Sequence, residues 1–276
     1  MKRVFFGALL SAVSLSAVAD PYSYQVEVGG NYEYVDGGLL DKDDSFGVFG
    51  TYYFSPVQLE QHAYGEAAFL ERASFVTLDA GYSDNSRDSA PCAICTGALS
   101  NEERQDYALT VGGYIANTIL YSSATYAYRH FEAEYTDDRI YSDSRTTWSA
   151  ELGVAPLEGW LLTTGFSEYA ALFEHGWNVS SKYVGELDNG RSYNVEGTYS
   201  DIDNGPSSWT VGGDFYFMRA FSIGGTLGEH DYYTLRSRWF VTPDVSLSLK
   251  MVNSEELGYV YYEEPNYYTL ELTGRF

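Results

Sequence analysis

The chain has 276 residues and is strongly acidic, since 39 Asp and Glu residues against 16 Lys and Arg residues give a formal net charge of −23. With so little positive charge to neutralise phosphates, nucleic acid is excluded as a partner. Aromatic residues make up 17% of the sequence, far more than disordered chains contain, so a folded protein is expected.

The first nineteen residues have the pattern of a secretory signal peptide. Lys2 and Arg3 give a positive start, an apolar stretch covers residues 4–18, and Ala17-Val18-Ala19 supplies the small residues that signal peptidase requires. We predict cleavage before Asp20 and a single domain over residues 20–276. A retained N-terminal anchor is the alternative, although the stretch is short and serine-rich for a membrane-spanning helix.

After residue 19, apolar residues recur with a period of two along almost the whole chain. One run places Trp209, Val211 and Phe215 on one face, and the first run begins the same alternation at Tyr24. A period of two indicates β-strands, and no convincing helical period is present. In a membrane β-barrel alternate residues face lipid and lumen, so the strands need not form the long apolar runs of membrane helices.

The breaks between the runs alternate between two lengths. Short breaks lie at residues 116–118, 156–159, 188–190, 219–220 and 242–244. Longer polar breaks lie near residues 36–44, 84–104, 136–144, 168–175, 202–206 and 254–265. Tight periplasmic turns and longer external loops are typical of outer-membrane barrels, so we predict a closed all-β, antiparallel up-and-down barrel with both termini periplasmic. The count is about fourteen strands, within a range of 12–16, and residues 56–83 are interpreted as a turn plus one long strand because bacterial barrels avoid odd totals.

The aromatic residues separate into two bands in the register set by this alternation. The predicted periplasmic strand ends carry Tyr52, Tyr53, Phe54, Trp160, Phe215, Phe217, Phe221 and Trp239. The predicted external ends carry Tyr32, Tyr34, Tyr82, Tyr128, Trp148, Trp177, Trp209 and Tyr233. Amphipathic rings prefer the headgroup level of a bilayer, so two aromatic belts and an integral outer-membrane location are expected.

Several short segments resemble known outer-membrane proteins. The last run places Tyr268, Leu270, Leu272, Gly274 and Phe276 on one face, and this alternation ending in Phe276 resembles the signal read by the barrel-assembly machinery. Residues 24–30 (YQVEVGG), 50–54 (GTYYF) and, most distinctively, 65–74 (GEAAFLERAS) resemble the general bacterial porins of Gram-negative bacteria. The resemblance implies an outer-membrane pore and fixes neither a substrate nor a functional residue.

Cys92 and Cys95 lie together in the long break at 84–104. In an exported chain we expect them to form a disulfide that closes a small ring in this external loop. A redox site of the thioredoxin kind would need a βαβ setting, and a metal site would need more ligands than the scattered histidines offer. We therefore predict no metal and no cofactor.

Charged residues recur at the inward-facing positions of the predicted strands. The pore-lining candidates are Asp106, Glu151, Glu196, Asp214, Lys182, Arg236, Arg238 and Lys250. Inward charges cost little only if water fills the barrel. The basic residues on the two adjacent late strands would orient dipolar solutes in a field across the pore, or would pair with neighbouring carboxylates and hold the wall rigid.

These patterns predict a porin that lets small hydrophilic solutes diffuse passively through its lumen, without covalent chemistry. Its partners in the membrane would be outer-membrane lipid and lipopolysaccharide. The acidic external breaks would enrich cations and give a weak cation preference. The 84–104 loop is the candidate constriction, and a homotrimer is one assembly considered. Two alternatives stay open: a non-conducting structural or adhesive barrel, and a barrel enzyme acting on lipid or lipopolysaccharide with a triad assembled from separate strands.

Overall fold

A computed structural model of the chain describes residues 23–36, 42–86, 99–116, 118–135, 140–169, 174–203, 205, 207–229, 231–253 and 266–276. These residues form fourteen strands: β1 (Ser23–Asp36), β2 (Lys42–Gln58), β3 (Phe75–Ser86), β4 (Leu99–Tyr114), β5 (Leu120–Tyr135), β6 (Ile140–Leu157), β7 (Trp160–Tyr169), β8 (Glu174–Glu186), β9 (Ser192–Ile202), β10 (Ser208–Met218), β11 (Phe221–Gly228), β12 (Tyr233–Thr242), β13 (Val245–Asn253) and β14 (Asn266–Arg275). A four-residue helix, α1 (Ala67–Leu70), and a 3₁₀ turn (Asp188–Gly190) lie between strands.

The strands close into one antiparallel barrel in which each strand pairs with its neighbours in sequence. The ring is completed by β1 and β14, whose register runs from Glu27 opposite Arg275 to Asp36 opposite Asn266. The predicted up-and-down barrel of fourteen strands is therefore confirmed. We call the end at which β1 begins and β14 ends the proximal end, and the opposite end the distal end. Among the described residues, no helix combines the length and the apolar character that crossing a membrane requires.

The outer face of the barrel carries large apolar side chains that are exposed and do not pack into a hydrophobic core. Leu152 is 68% exposed, and exposed aromatic residues lie near both ends, among them Phe54 and Trp239 proximally and Trp148 and Trp177 distally. Burying such a surface requires lipid, because a hydrophobic exterior of this extent is unfavourable in water. The alternation of the sequence therefore places the apolar residues outside and the polar residues inside.

Two residues expected on the outer face lie inside the barrel. Tyr24 and Tyr53 are both buried, and their rings pack edge to face with centroids 5.4 Å apart. The pairing of β1 with β2 shifts register between Tyr24 and Val26. Such a bulge changes which face a residue occupies, so it turns Tyr24 inward against the alternation. Tyr53, predicted in an aromatic belt, keeps the alternation, which places it inward between the exposed Tyr52 and Phe54.

The connection from β2 to β3 differs from the other proximal turns. We call residues 59–74, which include α1, the plug, because this segment folds into the barrel. The interpretation of residues 56–83 as a turn plus one long strand was right about the number of strands. It was wrong about the strand's extent, because β3 begins only at Phe75.

The wall is not of even height. Strands β2, β4, β5 and β6 have 17, 16, 16 and 18 residues, whereas β11 to β14 have 8, 10, 9 and 10. About 9–11 residues are enough for a tilted strand to cross the hydrocarbon core. The β2–β6 side of the wall therefore extends past the membrane at the distal end.

Candidate functional site in the lumen

The plug is anchored on one side by an apolar cluster. Leu59 is 1% exposed and packs with Val57, Ala67 and the inward rings of Tyr24 and Tyr53. These are side chains of β1, β2 and the plug itself. Their burial fixes the plug to the wall from which it starts, since burying apolar area stabilises by about 25 cal/mol per Å².

Glu66 fixes the plug to the opposite side of the barrel. This side chain is only 3% exposed. Its Oε1 accepts hydrogen bonds from Asn194 Nδ2 at 2.5 Å and Tyr216 Oη at 2.9 Å, and its Oε2 lies 2.7 Å from Lys182 Nζ. A buried carboxylate is tolerated only with such partners, so three strands, β8, β9 and β10, hold this one group.

Further polar contacts extend around the ring. His62 lies between two carboxylates, with Nε2 2.9 Å from Glu71 Oε1 and Nδ1 2.9 Å from Glu186 Oε1. Arg275 Nη1 donates to the backbone oxygen of Tyr64 at 2.8 Å, and Arg72 Nη2 donates to that of Ala155 at 3.3 Å. The plug starts at β2 and reaches β6, β8, β9, β10 and β14, so it crosses the lumen at the proximal end.

A charged cluster lies on the wall above the plug. Arg236 Nη2 lies 2.6 Å from Glu196 Oε1, and Arg236 Nε lies 2.8 Å from Asp214 Oδ1. Asp214 and Arg236 sit on β10 and β12, and both are opposite Gly224 of the intervening β11. A side chain at Gly224 would collide with Asp214, so the missing Cβ lets the two charged groups meet across a strand.

The eight candidate residues from the sequence all lie on inward-facing strand positions, but they form no single group. Glu196, Asp214 and Arg236 meet as an ion-paired cluster, while Lys182 pairs with the plug and Glu151 accepts a hydrogen bond from Ser123. In the described part of the chain Arg238 donates to Ser248 and has no carboxylate within ion-pair distance. Lys250 is exposed, and Asp106, on β4, lies on the far side of the lumen from β10–β12.

Asp106 belongs to a second charged cluster that the sequence analysis missed. Its Oδ2 lies 2.6 Å from Arg104 Nε and its Oδ1 lies 2.6 Å from Arg129 Nε. Arg145, on the next strand, is the cross-strand partner of Arg129. All three arginines lie at inward-facing positions of their strands, and the register of β4, β5 and β6 brings them together.

These arginines border a cavity of about 560 Å³ on the β2–β6 side of the barrel. Its inward-facing lining includes Asn31, Phe49 and Asp79 from the first three strands. The outward neighbour of Arg129 is Tyr128, one of the distal aromatic residues, so the cavity lies near the distal membrane boundary. This position makes it the mouth of the lumen rather than its floor.

Some predicted features fall outside the described residues. Cys92 and Cys95 lie between Ser86, the last residue of β3, and Leu99, the first of β4. Their disulfide, and the role of this loop as a constriction, therefore stay predictions. The loop is shorter than the predicted 84–104, because β3 and β4 occupy both ends of that range. Within the described ranges, His, Cys, Asp and Glu form no group of three or more that could hold a metal ion.

Comparisons with known proteins agree with this architecture. A family model described as "Putative general bacterial porin" matches residues 1–127 and 164–263. The crystal structure of the Acinetobacter baumannii outer membrane protein Omp33 superposes with a TM-score of 0.65 at 20% identity, covering 93% of this chain and 100% of that one. A TodX deltaS2S3 mutant, a monoaromatic hydrocarbon channel, gives a TM-score of 0.58 at 8% identity and covers 98% and 94%. No curated protein matches the sequence.

Proposed function

The chain belongs to this family of general bacterial porins and is an integral outer-membrane channel for small solutes, and we propose that it works as a water-filled pore for passive diffusion of hydrophilic ones. The observation that carries the proposal is the charge distribution of the wall. The outer face is apolar, whereas the inner face carries the ion-paired cluster of Arg236 and the arginines around Asp106. Charges at such positions are tolerated where water fills the lumen. Passage then depends on size and charge and needs no covalent chemistry.

We place the proximal end in the periplasm. Apart from the plug, the proximal connections are turns of a few residues, such as Arg219-Ala220 between β10 and β11. Short turns face the periplasm in bacterial outer-membrane barrels and longer loops face outward. In this orientation the plug restricts the lumen from the periplasmic side, and the arginine cavity faces the medium.

The plug also favours a second candidate function, a barrel that is closed in its resting state. A fourteen-stranded barrel is wide enough for an aqueous lumen unless chain folds into it. The plug fills that space with a buried apolar cluster and a buried carboxylate, Glu66. A structural or adhesive barrel would keep it in place permanently, whereas a channel needs either a gap beside it or its displacement.

Single-channel recording separates these two functions. Refolded protein, shown to be folded by its heat-modifiable gel mobility, would be inserted into a planar bilayer in potassium chloride. Stable ohmic current steps are expected of a pore. If folded protein gives no conductance at any voltage, the diffusion channel is rejected in favour of the closed barrel.

The same recordings test two finer proposals. We expect weak cation preference, because the chain carries a net charge of −23 and the acidic external breaks of the sequence would enrich cations. A reversal potential in a salt gradient that indicates anion preference would contradict it.

A change of conductance on reduction would link the proposed Cys92–Cys95 disulfide to the pore. An unchanged conductance would show that the disulfide-closed ring of this loop does not lie in the path of the ions.

Two proposed partners need other measurements. Recognition of Phe276 by the barrel-assembly machinery predicts that Phe276→Ala slows membrane assembly in cells. In the structure Phe276 closes the barrel through its backbone, donating to the oxygen of Val26 at 2.8 Å, so the substitution leaves this hydrogen bond intact. A homotrimer predicts a mass of three chains for the detergent-extracted protein, which light scattering would measure.

A further inference from the structure

Two of the three arginines at the distal cavity share one carboxylate, whereas Arg145 has Asp143 beside it. Arg104 and Arg129 share the single carboxylate of Asp106, and each reaches it through Nε. Both side chains are well exposed, at 45% and 50%. A guanidinium has five N–H donors, so the terminal nitrogens of both residues are available to a ligand in the cavity.

The register of the strands gives Arg129 one opposite charge and one like charge as its direct neighbours. Arg129 lies directly opposite Asp106 on one side and directly opposite Arg145 on the other. Like charges at directly opposed positions of neighbouring strands destabilise a sheet. An arginine used only to hold the wall looks different: Arg236 contacts two carboxylates of its own, Glu196 and Asp214.

The carboxylate of Asp79 lines the same cavity, nearer the proximal end than the arginines. Asp79 of β3 faces inward opposite Ala108, which follows Asp106 by one inward step on β4. That step corresponds to about 7 Å along a strand. Asp79 is exposed and takes part in no hydrogen bond or ion pair with the described residues. The cavity thus presents the exposed guanidinium groups of Arg104 and Arg129 at the top and the carboxylate of Asp79 below them, and Glu168 also lines it.

We propose that this cavity binds small zwitterions whose carboxylate and ammonium groups are several ångströms apart, as in a dipeptide. The carboxylate would be held by the terminal nitrogens of Arg104 and Arg129, whose planar geometry suits bidentate contact. The ammonium group would face Asp79. A volume of about 560 Å³ accommodates a molecule of this size.

The charge of the whole protein favours a zwitterion over a simple anion. With a net charge of −23, the chain repels anions from its mouth, whereas a solute of zero net charge approaches freely. This inference rests on the proposed channel function and specifies a solute class for it. It does not require that the plug move.

The direct test is to measure the binding of glycylglycine to the folded protein in detergent by isothermal titration calorimetry. Acetate and methylammonium serve as probes of the two charged halves. We expect glycylglycine to bind more tightly than either half. Arg104→Gln with Arg129→Gln should weaken glycylglycine at least several-fold, and Asp79→Asn should weaken glycylglycine while leaving acetate unchanged.

Charge-matched and folding controls make the result decisive. Arg191→Gln removes one positive charge at an exposed proximal position outside the cavity, so it should leave binding unchanged while the single Arg129→Gln weakens it. Heat-modifiable mobility establishes that each variant is folded. Equal binding of acetate and glycylglycine, or an equal loss in Arg191→Gln and Arg129→Gln, would overturn the proposal.

Conductance measured on the same preparation separates this inference from the channel itself. Current steps without glycylglycine binding would leave the pore intact and reject the zwitterion site. Binding without current would keep the site and reject the open pore. In a conducting protein, glycylglycine should also shorten or block current steps in the wild type more than in Arg129→Gln.

Discussion

The proximal and distal halves of the lumen use arginine in different ways. Proximally, Arg275 is buried, pairs with Glu27 at 2.6 Å and donates to the backbone of the plug, and Arg236 above the plug contacts two carboxylates. Distally, Arg104 and Arg129 divide one carboxylate and stay half in water. Partner number and exposure therefore separate charges that hold the barrel together from charges that remain available to a solute.

This difference follows from the cost of burying charge. A buried guanidinium without partners is strongly unfavourable, so the residues near the plug must be paired. An exposed one in a water-filled mouth costs little and gains little from pairing. The proximal half is thus constrained by stability, while the distal half is free to be adapted to what enters.

The largest effect is expected from removing the difference between the two ends. Replacing residues 60–73 with a short Gly-Ser linker would delete most of the plug and open the proximal end. Single-channel conductance should rise several-fold, because the remaining fourteen-stranded wall encloses a wide lumen. The same linker placed at residues 188–190 is the control, and an unchanged conductance after plug removal would show that the plug does not limit the current.

Glu66→Gln should loosen the plug without removing it. Loss of the charge leaves Lys182 without its partner and weakens the hydrogen bonds from Asn194 and Tyr216, which we expect to cost the docked plug about 2 kcal/mol. Limited trypsin digestion of the folded barrel should then cut faster after Arg72, within the plug. Glu60→Gln, at an exposed plug position, is the matched control, and equal cleavage of both variants would refute the role given to Glu66.

Arg236→Gln and Arg129→Gln compare the two kinds of arginine directly. Arg236→Gln leaves the carboxylates of Asp214 and Glu196 without their partner in a partly buried cluster. We expect it to lower the free energy of unfolding by about 2–4 kcal/mol. The second breaks an exposed pair and should cost less than about 1 kcal/mol. Urea titrations in detergent, read by gel mobility, measure both, and similar losses would mean that exposure does not separate the two sets.

The smallest effect is expected from Asp106→Asn. Removing this carboxylate leaves Arg104 and Arg129 without a counter-charge, so the mouth becomes more positive. The reversal potential in a salt gradient should shift by a small amount toward anions, while stability changes by less than about 1 kcal/mol because the pairs are exposed. An unchanged reversal potential would place Asp106 outside the path of the ions.

Much of the fold could be predicted because a barrel wall is a local structure. Alternation along each strand decides which side chains face lipid, and runs such as the one from Trp209 to Phe217 follow it throughout. Turn residues such as Thr242-Pro243-Asp244 mark where the strands end. The number of strands and the inward position of Asp214 or Arg236 follow from these two signals alone.

The plug could not be predicted in this way because its structure depends on distant partners. The Glu66 side chain is stable in its buried position only because β8, β9 and β10 supply Lys182, Asn194 and Tyr216, which lie more than a hundred residues away. The alternation of apolar and polar residues does not predict these contacts. The one local sign was the absence of alternation itself across residues 65–74, the segment that most resembled the family.

By itself, then, the sequence determined the strands, their faces and the family, because backbone pairing and burial in lipid repeat with a period of two. Only the tertiary structure decided which charges meet. Closure of the barrel set the register that places Arg129 between Asp106 and Arg145, and Gly224 let Arg236 reach Asp214 across a strand. Such contacts depend on neighbours across the ring, and pairing across the ring exists only once the chain has closed on itself.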